Sequence, residues 1–249
     1  MEPKPLTELS LRGRTALVTG GARRVGAVIS ERLAALGARI VIHHHTSSEE
    51  ADDLARRLGA SEARLESADL TDRAEVTALF DRLALADWLP DILVNSASEF
   101  LPSRSDAVDF DVWDRTLALN LTAPYQMTME ASRRLDGRPG DVVNIADVWG
   151  SRPLRRYVAY SVSKAGLLML TQSLAQVLAP VVRVNAVAPG PVLLPDYYDE
   201  ERRDRALRNT LLKREGSAAD VANAVAFLVA GTTYATGSVI TIDGGRSAM

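Results

Sequence analysis

The run TALVTG (Thr15–Gly20) is followed by a helix-patterned stretch from about Arg24 to Leu36 and then by a second β-rich run, Arg39–His43. Strand, helix and strand in that order make a βαβ unit, whose parallel strands need the helix to cross back over the sheet. The alternation persists. Helical EEADDLARRL precedes a short strand at ARLES, helical TDRAEVTALFDRLALA precedes the strand Asp91–Ala97, and a long helix over Phe110–Leu135 precedes the strand Asp141–Ala146. A helix at Tyr157–Leu178, a strand at Val182–Ala188, a helix at Ala218–Val229 and a strand at Ser238–Asp243 complete the series. Seven strands alternating with six helices predict one α/β domain over residues 1–249: a Rossmann-type, doubly wound, seven-stranded parallel sheet with helices on both faces. One long stretch, about residues 190–214, reads as irregular and is rich in proline, tyrosine and charge; beside a parallel sheet it predicts a substrate lid.

Composition narrows the function classes. A chain of 249 residues that is 47% hydrophobic can bury a full core. It has no cysteine, which excludes disulfides, thiolate metal sites and cysteine nucleophiles. The net charge of −3 argues against nucleic acid as a partner. No apolar window is long enough to span a membrane, and MEPKPLTELSLRGR carries charges and prolines where a signal peptide needs an apolar run. The expectation is a cytoplasmic protein acting on a small molecule.

The chemistry-bearing residues sit at strand ends. The turn Gly20-Gly21-Ala22-Arg23-Arg24-Val25-Gly26 leads from the first strand into a helix, where backbone N–H groups can meet a pyrophosphate; the plainer reading is a turn that needs glycine for its geometry. The second strand ends in His43-His44-His45-Thr46-Ser47, with no carboxylate to repel a ribose 2′-phosphate. With Arg23 or Arg24 nearby, the expected cofactor is NADPH. Adjacent strand residues face opposite ways, so the three histidines do not make a metal site. Asp69, followed by Leu70, stands where it can receive an adenine amino group or cap the next helix. Tyr160 and Lys164 are four apart and share a helix face, so the ammonium is expected to lower the phenol pKa. Asp147 lies thirteen residues before the tyrosine, at a strand's carboxyl end.

In these features the chain resembles the short-chain dehydrogenase/reductase family from Thr15 to Gly245. The likeness rests on the glycine-rich turn, Asn95-Ser96-Ala97, Asn120, the Tyr160/Lys164 pair, Pro189-Gly190 and Asp243-Gly244-Gly245. It implies Tyr160 as acid/base, Lys164 tuning it and binding the nicotinamide ribose, and Asn120 holding a water in the proton relay. Asn95 and Ala97 would line the cofactor channel. The backbone after Gly190, including Val192, would meet the carboxamide, although Pro191-Val192-Leu193-Leu194 lacks the family's usual threonine. Homotetramers or homodimers are the family's usual assembly.

Two departures, Arg24 for a glycine and Asp147 for a serine, resemble pteridine reductases, as does the histidine run. In that likeness Phe100 would stack a pterin against the nicotinamide, with Ser98 and Arg24 bonding pterin and cofactor phosphate. The short chain resembles bacterial members, including dihydromonapterin reductases, more than the longer trypanosomatid enzymes. The expected reaction reduces a dihydropterin or dihydrofolate, a hydride going to ring carbon and a proton to nitrogen through Tyr160 and Asp147. The alternatives are a reductase of another small carbonyl or alcohol, and a catalytically silent NADP(H)-binding regulator.

Overall fold

The computed structural model describes residues 9–59, 62–103, 109–194 and 198–249. The strands β1 (Thr15–Val18), β2 (Arg39–His44), β3 (Ala63–Ser67), β4 (Ile92–Asn95), β5 (Gly140–Ile145), β6 (Val182–Pro189) and β7 (Val239–Ile242) form one parallel sheet. Its order is β3-β2-β1-β4-β5-β6-β7, with Ala16 opposite both Ile40 and Ile92. Between β1 and β4 the strand order reverses, so the connections leaving these two strands diverge and open a crevice at their carboxyl ends.

Alternation along the strands divides the core into two layers. Ala16, Val18, Ile40 and Ile42 face the layer made with α1 (Arg24–Ala35), α2 (Ser48–Leu58) and α8 (Ala218–Ala226). Leu17, Val41, Leu93 and Val184 face α3 (Arg73–Leu85), α5 (Ala123–Arg134) and α6 (Val158–Leu178). Both faces of the central strands are therefore apolar, as a sheet covered on two sides requires.

The helices depart from the sequence reading in three places. The long helix predicted over Phe110–Leu135 is α4 (Phe110–Leu117), a π turn over Ala118–Thr122, and then α5. The last helix likewise passes into a π turn, at Phe227–Gly231. The third departure lies in the predicted irregular stretch, which contains α7 (Glu200–Arg208). None of its residues is buried, so it carries no apolar period for the sequence to reveal. It rests instead on Asp199, whose carboxylate accepts from the Arg202 N–H at 2.8 Å, and on the Arg205–Glu201 pair. Residues 195–197 of that predicted lid lie outside the described residues. Among the described residues no helix is long and apolar enough to cross a membrane.

Candidate active site

Two cavities open along the carboxyl ends of the strands. The smaller, about 530 Å³, is framed by the turn after β1 and the ends of β2, β3 and β4. Its turn is tightly built. Gly20 has φ +59°, and a Cβ on Gly26 would stand 2.1 Å from the Gly20 carbonyl oxygen, so glycine is required for the helix to start against the turn. Thr19, which the sequence reading used only to mark the turn, knits the turn to the end of β4: its hydroxyl accepts from the N–H groups of Ser96 and Ala97 at 2.9 and 3.0 Å.

His43 belongs to the same scaffold. Its Nδ1 accepts from the Gly20 N–H at 3.2 Å and its Nε2 pairs with the Ala68 carbonyl at 3.0 Å, which fixes a neutral ring with the proton on Nε2. Burial holds its pKa down to about 4. The expected contact from this imidazole to a cofactor is thereby corrected: both ring nitrogens are already bonded. The cavity is left with His44, whose buried Nδ1 has no partner, and with His45, Thr46, Ser47 and Arg23. A buried nitrogen without a partner, cationic and hydroxyl groups around it and no carboxylate on the β2 end suit a phosphate-bearing nucleotide. Asp69 and Leu70 close the far side. Asp69 does not cap α3, whose N-cap is Asp72. It accepts instead from the N–H and hydroxyl of Thr71, bonds that hold its carboxyl below the ordinary range. Ala97 and Ser98 also line this cavity.

Several expected site residues turn into the protein. Asn95 is buried and donates to Asn144 at 2.8 Å and to Thr128 at 3.3 Å, so its side chain ties β4 to β5 and α5 and does not line a channel. Asn120 donates to the Glu99 carbonyl at 3.0 Å and to the Ser163 hydroxyl at 3.2 Å, while its oxygen accepts from the Ser98 hydroxyl and the Glu99 N–H. All four bonding positions of the amide are taken. The expected water therefore finds no free group on this side chain; Asn120 fastens α6 to the chain after β4 from its place in the π turn. Val25 packs on the core layer beneath α1, and Pro189 is buried as the last residue of β6.

The larger cavity, about 1160 Å³, holds Asp147, Tyr160 and Phe100. The Tyr160 hydroxyl donates to Asp147 Oδ2 at 2.7 Å, and Asp147 Oδ1 accepts from the Trp149 N–H at 2.9 Å. Asp147 is thus both the cap of a short 3-10 turn at Val148–Gly150 and the partner of the tyrosine. Lys164 is buried, donates to the Ile145 carbonyl at 2.8 Å and stands 5.6 Å from the centre of the Tyr160 ring. Burial lowers the lysine pKa to about 8, raises that of Asp147 and, together with the adjacent Asp147 charge, raises that of Tyr160. The expected lowering of the phenol pKa is corrected: desolvation and the carboxylate outweigh the ammonium. The raised pKa holds the phenol protonated as the donor to Asp147.

Phe100 lies flat on Tyr157, ring centres 4.1 Å apart and planes 8° apart, and edge-on to Tyr160 at 4.7 Å. Tyr157 covers one face of Phe100, so a ligand can stack only on the other. Sequence reasoning missed Tyr157; its signal was the three-residue spacing to Tyr160, which puts both rings on one face of the chain entering α6. Ser98, expected beside Phe100 as a substrate ligand, lines the smaller cavity instead and donates to Asn120. Arg24 lines the larger one and Arg23 the smaller. Arg24 has φ +50°, the left-handed conformation that glycine adopts freely, and its guanidinium donates to the Leu193 carbonyl. Gly190 and Val192 complete the wall; the Gly190 N–H donates to the Ile242 carbonyl at 2.9 Å.

The crevice, with a glycine turn at one end and a buried tyrosine, lysine and aspartate at the other, lies in a chain that is similar along most of its length to known proteins. The family described as enoyl-(acyl carrier protein) reductase matches residues 20–247. The 3-oxoacyl-(acyl-carrier-protein) reductase FabG of Aquifex aeolicus is 36% identical over 96% of this chain and 99% of its own. Pteridine reductase 1 of Leishmania tarentolae is 34% identical over 93% of this chain and 96% of its own. The structure of FolM alternative dihydrofolate reductase 1 from Brucella suis in complex with NADP superposes with a TM-score of 0.87, at 33% identity, over 95% of this chain and 96% of that one. By fold, site and sequence together, the chain belongs to the short-chain dehydrogenase/reductase family of oxidoreductases.

Proposed function

We propose that the protein is an NADPH-dependent pteridine reductase, taking a dihydropterin or dihydrofolate to its tetrahydro form. The observation that carries the reading is the 2.7 Å bond between Tyr160 and Asp147, with Phe100 in edge contact with the Tyr160 ring. In this reading residues 1–249 are one catalytic domain with residues 190–214 as its lid. His44, Thr46, Ser47 and Arg23 in the smaller cavity would hold the 2′-phosphate of NADPH, and Lys164 and the backbone after Gly190 would hold its nicotinamide end, which would supply the hydride. Phe100 orients the ring. Tyr160 and Asp147, joined by their 2.7 Å bond, relay a proton to the ring nitrogen next to the reduced carbon. The Lys164 ammonium balances the charge left on the pair. The likeness to pteridine reductase 1 and to FolM supports this substrate class. Exposed Val162, Met169 and Val177 on α6 support assembly as a homodimer or homotetramer through that helix.

A second reading has one observation in its favour. The Tyr160 hydroxyl can donate to a developing oxyanion, so reduction of a small carbonyl also suits this site, as the likeness to FabG suggests. Following NADPH oxidation with dihydropterins and with ketones separates the two. Pterin-dependent oxidation is expected; oxidation with ketones alone rejects the pteridine reading.

A further inference from the structure

The larger cavity is divided by charge. Its inner part holds Asp147, Tyr160 and the Phe100–Tyr157 stack. Its lining also includes Arg24, Arg156, Arg202, Arg205 and Arg246, and the lone carboxylate among the described lining residues is Asp147. Five arginines around one opening contrast with a chain whose net charge is −3.

They are not equally engaged. Arg246 lies over the Trp149 ring at 5.2 Å and donates to the Ala206 carbonyl, and Arg24 donates to the Leu193 carbonyl; these two brace the wall. On α7, Arg202 and Arg205 have exposed partners in Asp199 at 3.7 Å and Glu201 at 2.6 Å. Arg156 is exposed, and among the described residues no carboxylate pairs with it. It is held at φ +70°, where its carbonyl accepts from the Ser103 N–H at 2.6 Å. That backbone conformation is uncommon for a residue with a side chain. At about 1160 Å³ the cavity exceeds the roughly 300–1,000 Å³ usual for a small-molecule site, so it has room for a nicotinamide, a bicyclic ring on Phe100 and a substituent beyond that ring.

We infer that this rim binds an anionic tail on the substrate, with Arg156 as the residue that selects it and Arg202 and Arg205 completing the positive field. The substrate class is a dihydropterin whose side chain ends in carboxylates, preferred over one whose side chain is a short uncharged polyol. This rests on the pteridine reading above. Arg156 acts on binding and not on the proton transfer, since it does not touch Asp147, Tyr160 or Lys164 in the described contacts. A guanidinium meets a carboxylate through two parallel hydrogen bonds, which a lone ammonium cannot copy in full.

Steady-state rates of the full chain with NADPH, using dihydrofolate and dihydrobiopterin, test it in the wild type, Arg156→Gln and Arg156→Lys. The expected result is a ratio of kcat/KM, dihydrofolate over dihydrobiopterin, that falls about 5- to 10-fold in Arg156→Gln through KM, and that Arg156→Lys largely restores. The same ratio should fall as salt rises from about 0.05 to 0.5 M, because added ions screen exposed charges. All three proteins carry a side chain at φ +70°, so backbone strain is common to them, and equal melting temperatures show that folding is intact. A ratio unchanged by both Arg156→Gln and salt, with both pterins turned over, overturns the inference and leaves the pteridine reading standing. Oxidation of NADPH with neither pterin overturns both.

Discussion

The two cavities use their polar groups in opposite ways. Around the smaller one, Thr19, His43, Asn95 and Asn120 are bonded to the protein itself, and the turn that Thr19 and His43 brace is so close that Gly26 admits no Cβ. Around the larger one, the rim consists of exposed arginines on α7 and on the loop before α6, and α7 buries none of its residues. A cradle that satisfies its own hydrogen bonds is set before any ligand arrives and suits a constant one. A rim of solvated charges on a weakly anchored helix can adjust to different substituents. With the proposed function, the contrast fits the constant partner, the nucleotide, in the first and the variable partner, the substrate, in the second.

Four changes sharpen or break that contrast. Tyr160→Phe removes the proton donor at the floor of the larger cavity and should lower kcat by about 10³-fold, with NADPH binding retained by fluorescence titration; equal loss of binding would mean the two cavities are not separable. His43→Ala strikes the cradle. It leaves the Gly20 N–H and the Ala68 carbonyl unpaired and opens a void, which should cost about 2–4 kcal/mol and lower Tm by about 5–10 °C in thermal unfolding.

The same histidine predicts a pH dependence. Its pKa of about 4 in the folded protein lies below the ordinary 6.5, so between those values the unfolded chain binds the extra proton and stability rises with pH. The contribution is full above about pH 6.5 and is lost as pH falls towards 4, up to about 3 kcal/mol. Denaturant unfolding of wild type and His43→Ala across that range should show a steeper rise of stability with pH in the wild type. The smallest effect belongs to the rim. Arg205→Ala breaks an exposed pair on α7 and should change stability by less than about 0.5 kcal/mol; a larger loss would show α7 to be part of the rigid frame.

The sheet was legible because both of its faces are buried, so β-rich runs such as Arg39–His44 stand out against the amphipathic stretches between them. Helix α7 was not, because its hydrogen bonds and ion pairs leave no apolar period. Within the site, sequence spacing located Asp147, Tyr160 and Lys164 and the structure brings them together. It could not reveal which polar residues are spent on the scaffold: His43 and Asn120 look like ligands in sequence, and only their partners show otherwise. The sign of the Tyr160 shift was hidden for a related reason, since proximity to Lys164 can be read from spacing whereas burial cannot.

The central claim is that the Asp147–Tyr160 pair delivers a proton to a ring nitrogen. Its most direct test is NADPH oxidation by Asp147→Ser, measured against wild type with a dihydropterin and with a β-keto substrate. The account predicts that pterin turnover falls about 100-fold or more while ketone turnover is unchanged or rises. Pterin turnover that survives the substitution, or a ketone rate that falls with it, would contradict the account.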